Sequence, residues 1–430
     1  MAGFSHRARA VFAYCPALSG GARLLKKRVP VAELQFGMYV AELDRPWTDT
    51  PFLFQGFVLR THEELEILAK YCSAVFVDAD YREAPSRLAD TIPPRTRTKV
   101  DLARSGACRW NEVSAVEQEY PRAAACYGVA ETAVRDSLLG LRSGAALQAD
   151  KLCEAVTVLT ESILRNPDAM LLFSKLREKG EYTESHALDC SIYMVAFGRF
   201  LDMSRNDILL LGYLGLLQDV GKLKLPRPLL EYPGRFSRIE YHVAQRHVQY
   251  SADILRSTPG LPHRLADLAT LHHERLDGSG YPRRLKGNEI GLIGSIAGIV
   301  DTFDAVTARR PHAAPISPSE ALRMLYRGRG TLFDAYLVEQ FIRCIGIFPL
   351  GSMVELNGGE VGVVMAHNRG KRLQPRVMVF QDAAGDPVRP EKLIDLSRGV
   401  TASDGHPYRI KRTLEFKQIP IGAMDVSFGF

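Results

Sequence analysis

Cysteine is present but never paired. The seven thiols, Cys15, Cys72, Cys108, Cys126, Cys153, Cys190 and Cys344, are scattered, and no two stand at a CxxC spacing. An odd, scattered set argues against a disulfide framework and against a thiolate zinc site, and points to reduced thiols. Long apolar runs are also missing: the longest, Ile208 to Leu217, is too short to span a bilayer. No apolar core follows the basic residues near the start, so no secretory signal is read there. Charge of one sign is not concentrated. A net +6 on 430 residues is mild; it admits an anionic ligand but lacks the basic stripe that DNA or RNA binding needs. No internal repeat stands out. The expectation is a soluble, cytoplasmic chain with no membrane span.

The chain is long enough for two or three domains with a substantial core, and its 46% apolar and 24% charged content is that of an ordinary globular protein. Residues 1–28 are basic and rich in small residues without a period, and read as a disordered leader. Over 29–80, short β-type runs (Val29–Val31, Met38–Val40, Phe52–Phe54, Phe57–Leu59, Ala74–Asp78) surround one helical stretch, Glu63 to Tyr71, which makes a small α+β regulatory domain. Residues 81–122, rich in Arg, Pro and Ala, read as a linker.

From 123 to 348 the period is helical: Leu152, Val156, Leu159 and Ile163 recur at three- and four-residue steps. Ser204 with Asp207, and Ser317-Pro318-Ser319-Glu320, have the composition of helix starts. After Pro349 the pattern turns to strands at 353–356, 362–365 and 376–380, a small β-domain over 349–400 followed by a tail, 401–430. The fold class is therefore multi-domain and mainly α, with a small N-terminal α+β domain and a small C-terminal β extension.

The stretch richest in chemistry is Leu271-His272-His273-Glu274-Arg275-Leu276-Asp277-Gly278-Ser279-Gly280-Tyr281-Pro282. Neutral imidazoles are good ligands for zinc, iron or manganese. Neighbouring ones can serve one ion only where the backbone leaves a regular helix, a freedom the following glycines supply. Local spacing alone leaves this reading and that of an exposed polar turn both open. Elsewhere in the helical block stand His186 at the head of a helix, Gln218-Asp219 at the end of a very apolar one, His247, and then Asp301 and Asp304. An acid ending an apolar helix is costly to bury unpaired; a metal is one partner for Asp219, and Lys222, one turn on, is another.

Over about residues 165–350 these residues, in this order, resemble the HD-GYP proteins, a branch of the HD phosphohydrolases. The resemblance runs through Tyr182-Thr183-x-x-x-His186, Asp-x-Gly-Lys at 219–222, His247, HHExxDGxGYP at 272–282 and DxxDAxT at 301–307. Residues 29–80 and the strands after Pro349 resemble the N-terminal domain of unknown function and the β extension that accompany one HD-GYP subgroup. The resemblance implies a helical bundle holding two or three divalent ions, iron or manganese, which hydrolyses the bacterial second messenger cyclic di-GMP to linear pGpG or GMP. It implies His186, Asp219 and Asp301 on one metal, and His247, His272 and His273 on a second, with Asp219 bridging and acting in catalysis with Lys222. Lys222 and Arg310 would meet the phosphate. Gly278, Gly280, Tyr281 and Pro282 would shape the mouth of the site, or offer a surface to a diguanylate cyclase or PilZ-type partner. A homodimer is a further expectation.

Three departures stand out. Gln218 occupies the place of the histidine that gives the family its HD name; His312 and Ala313 follow Arg310 where an aromatic and a basic residue are usual; and Ser251 replaces a glycine. A glutamine oxygen is a weak substitute for imidazole on iron or zinc. Two functions follow: a phosphodiesterase slowed at one metal position, or a catalytically inactive domain that senses cyclic di-GMP or engages signalling proteins. His242, His263, His312 and His367 fit no pattern and read as surface or loop histidines, Asp304 as a helix cap, and Glu274 with Arg275 as a surface or ligand-contact pair.

Overall fold

In the computed structural model the chain forms two compact units, divided at Arg95 and Thr96. The structure describes residues 26–78 and 110–414, apart from 46–49, 51, 53–55, 60–61, 178–180, 231, 233, 235, 309–314, 369–370, 372 and 404.

In the first unit β1 (Lys26–Pro30), β2 (Tyr39–Leu43), β3 (Phe57–Val58) and β4 (Ala74–Asp78) form an antiparallel sheet in the order β1-β4-β2-β3, with α1 (His62–Tyr71) between β3 and β4. Val40, Leu59, Leu68 and Val75 are its fully buried apolar side chains. The Asp44 carboxylate accepts the N–H groups of Ser73 and Ala74 at 2.7 and 3.0 Å, which ties the end of β2 to the start of β4. β1 begins at Lys26, inside the stretch expected to be leader. Its pairing with β4, Lys26 opposite Asp78, recruits residues whose own composition carries no strand signal. The expected run Phe52–Phe54 lies mostly outside the described residues.

The second unit is a helical bundle. It runs through α2 (Val116–Arg142), α3 (Ala149–Arg165), α4 (Pro167–Leu176), α5 (Tyr182–Phe200), α6 (Arg205–Leu217), α7 (Arg227–Leu230), α8 (Arg238–Gln245), α9 (His247–Arg256), α10 (Leu265–Leu268), α11 (Gly291–Thr307), α12 (Pro318–Arg327) and α13 (Ala335–Ile345). The Leu152, Val156, Leu159 and Ile163 face of α3 is buried, as the spacing predicts. The Ser204 and Ser317 hydroxyls accept the N–H groups of Asp207 and Glu320, the expected caps of α6 and α12. α2 starts at Val116, within the expected linker; its Pro121 sits in the second turn, and Glu119 is buried against Arg165 and Ser162, a polar anchor that composition hides.

Two features of the bundle bring the chemistry together. α5 and α6 are joined by a short turn, so the head of α5 returns beside the tail of α6. They come close because position 215 is glycine: a Cβ there would lie 2.5 Å from the Ser191 nitrogen. α11 supplies the other wall. With the turn before it, Gly287–Thr307 is long and apolar enough by composition to cross a membrane, yet Ile296, Ile299, Val300 and Phe303 are buried in the bundle and it carries the buried acids Asp301 and Asp304.

A five-stranded antiparallel sheet follows, in the order β8-β7-β6-β5-β9: β5 (Met353–Leu356), β6 (Val361–Ala366), β7 (Arg376–Gln381), β8 (Pro387–Asp395) and β9 (Ile410–Leu414). β9 lies within the expected tail, so the β-domain extends beyond residue 400. β8 and β9 are the two edges, mostly exposed, and edge strands need no alternating apolar pattern and tolerate proline. Among the described residues, two ties fasten the sheet to the bundle. Arg376 pairs with Glu117 on α2, and the His367 backbone N–H donates to Asp168 Oδ2 at 2.8 Å while its Nδ1 lies 3.5 Å from Oδ1. His367, expected as a surface or loop histidine, lies in the loop after β6 and is a partly buried fastening.

Candidate metal centre

His186 lies one turn into α5, and the tail of α6 delivers Gln218 and Asp219 opposite it. A 3-10 turn, Val220–Lys224, then carries the chain under the head of α9, where His247 is the first residue. That crossing needs glycine at 221, since a Cβ would overlap the His247 carbonyl and the Ser251 nitrogen. Ser251, the residue expected to be glycine, accepts the Gly221 N–H on its hydroxyl at 2.8 Å.

His272 and His273 follow in a non-helical turn after α10, so both rings can face one centre. Gly280 packs that turn: a Cβ would come within 2.5 Å of Glu274 Cα and the Arg275 nitrogen, and Gly278 holds φ +79°. Glu274 and Arg275 are not a surface pair. The buried Glu274 carboxylate accepts the N–H groups of Arg283 and Leu285 at 2.7 and 2.9 Å. Arg275 donates to the carbonyls of His272 and Glu274 and to Thr302 on α11, so both residues set the shape of the turn.

The functional atoms converge. Asp219 stands between two groups: its Oδ2 is 3.0 Å from His186 Nε2, and its Oδ1 is 3.1 Å from His247 Nε2 and 3.6 Å from His272 Nε2. Asp301 Oδ1 is 3.3 Å from His186 Nε2, and its Oδ2 is 3.8 Å from His273 Nδ1. Lys222 Nζ reaches Asp219 Oδ2 at 2.7 Å. Gln218, fully buried, has its Nε2 3.4 Å from Asp301 Oδ1, and its Oε1 has no hydrogen-bond partner. Asp219 with His247, His272 and His273, and His186 with Cys190 and Asp301, each form a set whose donor atoms lie within 4.8 Å of one another. Arg310, His312 and Ala313 lie outside the described residues. Asp304 is no mere helix cap: its Oδ2 meets His186 Nδ1 at 2.7 Å. It stands one turn after Asp301 on the same face of α11, a spacing that was visible in the sequence.

The donor chemistry tests whether a cation belongs here. His247 Nδ1 and His272 Nδ1 face the carbonyls of Ala244 and Ala269 at 2.7 Å. A carbonyl only accepts, so those nitrogens carry protons, and in the neutral ring each Nε2 presents a lone pair. The two lone pairs face each other at 3.4 Å and both face a carboxylate. Such an array of acceptors is stable only around positive charge, and orientation of each ligating imidazole by a partner on its other nitrogen is the usual outer layer of a metal site. The titration behaviour agrees. Burial opposes charge on both acids, but Lys222 and the imidazoles outweigh it at Asp219, and His186, His273 and His272 outweigh it at Asp301, holding both well below the usual carboxylate range. Burial pushes His247 down, and burial with His272 beside it pushes His273 well down, leaving both neutral and free to ligate. At His186 burial is outweighed by Cys190, Tyr182 and the two carboxylates, which draw a proton onto the ring; a cation bound there would meet the same need. The residues fit divalent metal at both groups.

A helical bundle whose buried histidines and carboxylates converge on one shared aspartate has the donor set of a metal-dependent hydrolase. An HD domain model matches residues 169–337, a model of a domain of unknown function (DUF3391) matches 26–152, and a KOW domain associated with HD domains matches 353–402. The chain is 31% identical over 379 residues to the cyclic di-GMP phosphodiesterase PA4108 of Pseudomonas aeruginosa, covering 86% of this chain and 89% of that one. It is 33% identical over 171 residues to the 3'3'-cGAMP-specific phosphodiesterase 3 of Vibrio cholerae, covering 40% of this chain and 37% of that one. It is 38% identical over 128 residues to a cyclic di-GMP phosphodiesterase of Thermotoga maritima, covering 30% and 35%. The chain belongs to the HD-GYP family, in the form that carries the DUF3391 domain at its N-terminus.

Proposed function

We propose that this protein is a cytoplasmic, metal-dependent phosphodiesterase that hydrolyses cyclic di-GMP to linear pGpG and onward to GMP, at a rate limited by the metal position beside Gln218. The observation that carries the reading is Asp219, whose two oxygens face two separate histidine-containing groups. His247, His272, His273 and Asp219 would hold one ion, and His186, Asp219 and Asp301 the other, iron or manganese by the donor set. When bound, such a pair supplies Lewis acidity and a water activated at neutral pH. The chain's own part is placement. Asp304, Ala244 and Ala269 fix the tautomers of His186, His247 and His272. Lys222, 23% exposed and so open toward solvent, offers its ammonium to a phosphate oxygen, and Arg310 is assigned the second clamp. Tyr281 stacks on His273 at 4.6 Å between ring centres and walls the mouth of the site, with Gly278, Gly280 and Pro282 forming the turn.

The test is metal content and cyclic di-GMP turnover measured on one purified batch. The expected result is substoichiometric metal with slow conversion to pGpG and then GMP, both rising when iron or manganese is added. Tight binding of cyclic di-GMP with no turnover in fully metallated protein would replace this reading with that of a sensor. Gln218, which binds Asp301 where an imidazole is expected, is the residue that favours such an outcome.

A further inference from the structure

α8 buries none of its residues. It is held by its ends: the Ser237 hydroxyl and the Glu240 carboxylate cap its first turn reciprocally, and at its other end the Ala244 carbonyl receives His247 Nδ1. A helix so fixed to a metal-site histidine would gain stability from polar side chains on its open face. Instead it presents Tyr241, 44% exposed, and Ile239, 77% exposed. Tyr241 continues a column of rings that starts at the centre. Tyr281 stacks face to face on His273, with centres 4.6 Å apart and planes at 26°, and Tyr241 meets Tyr281 edge to face at 6.2 Å and 78°. The column therefore leads from a metal-ligand imidazole out to an open aromatic surface in two steps.

Resting on the cyclic dinucleotide reading above, we propose that Tyr241 is a nucleobase platform: a purine of the substrate stacks on its exposed ring while the attached phosphate lies at Lys222 and the metal centre. A column of rings that begins at the centre and ends on an exposed tyrosine suits this occupant. A phosphodiester by itself needs only the charged groups around Asp219, whereas a nucleotide carries a flat ring a short distance from its phosphate. Aromatic side chains bind such rings with little regard to which base is present. Tyr241 touches neither metal ligands nor the reacting phosphate in this arrangement, so it acts on binding and selection of substrate and leaves the chemical step alone.

The test compares wild type, Tyr241→Ala and Tyr241→Phe as full-length, metal-loaded protein, with cyclic di-GMP binding measured by calorimetry beside KM, kcat and metal content. Loss of one base stack weakens binding and raises KM roughly tenfold or more in Tyr241→Ala, with kcat and metal content unchanged, and Tyr241→Phe restores both constants. Unchanged binding and KM in Tyr241→Ala, with wild type active, overturns the platform and leaves the phosphodiesterase reading standing. So does a Phe variant as weak as the Ala variant, which would assign the effect to the hydroxyl, or loss of metal in Tyr241→Ala, which would make the residue structural. A wild-type protein that neither binds nor turns over cyclic di-GMP overturns both proposals together.

Discussion

At position 218 an amide replaces an imidazole, and the exchange changes what the position can do. The Gln218 N–H faces Asp301, and its Oε1 is buried with no hydrogen-bond partner; an imidazole there would present a ligating nitrogen instead. Gln218→His is expected to raise the metal content of the purified protein and to increase turnover by about ten- to a hundredfold, the scale of one metal-site contact. Elemental analysis beside a turnover assay checks it, and unchanged metal would show that Gln218 does not limit occupancy. The six histidine and aspartate positions at the centre were readable from the chain because their side chains have few other uses in such an order. Residues that support them were not. Glu274 looks like any turn carboxylate until the structure shows the Arg283 and Leu285 N–H groups it holds, and although Asp304 keeps a helical spacing to Asp301, the sequence contains no trace of its partner His186, 118 positions away.

Among the elements, the crossing of the 3-10 turn beneath α9 is the tightest, and one residue permits it. Gly221→Ala would put a methyl group into the backbone of His247 and Ser251, neither of which can swing aside as a side chain can. The expected cost is about 1–3 kcal/mol, seen as a lower urea midpoint, together with weaker metal binding as His247 is displaced from Asp219. Helices were legible by their period, as in α3, or by their caps, as in α6 and α12. β8 and β9 were not legible, because edge strands are specified by the strand beside them: Pro387–Asp395 has two prolines and only one buried side chain, and pairs with β7 all the same.

Across the second unit, the join between sheet and bundle responds to pH. Burial works against charge on His367, but Asp168 outweighs it, and the imidazole pKa is raised. A raised value in the folded state means that the pair stabilises fully below the ordinary imidazole value of about 6.5 and that its contribution fades as pH climbs through the raised one. The expected size is about 1 kcal/mol, that of a partly exposed pair. Urea unfolding of wild type should lose that margin as pH rises above the ordinary imidazole value of about 6.5, and His367→Gln should show a flatter profile over the same range. Equal pH dependence in both proteins would place the sensitivity elsewhere.

Asp219 has one carboxylate and two sets of neighbours, and this makes occupancy a single thermodynamic quantity. An ion entering beside His186 changes the charge that an ion beside His247 and His272 will meet, and linkage requires the second to act back on the first by the same factor. With metal at both positions, the two affinities would not be independent. A change at Gln218, whose side chain meets Asp301 in the His186 group, would then be felt as altered retention of metal beside His247 and His272.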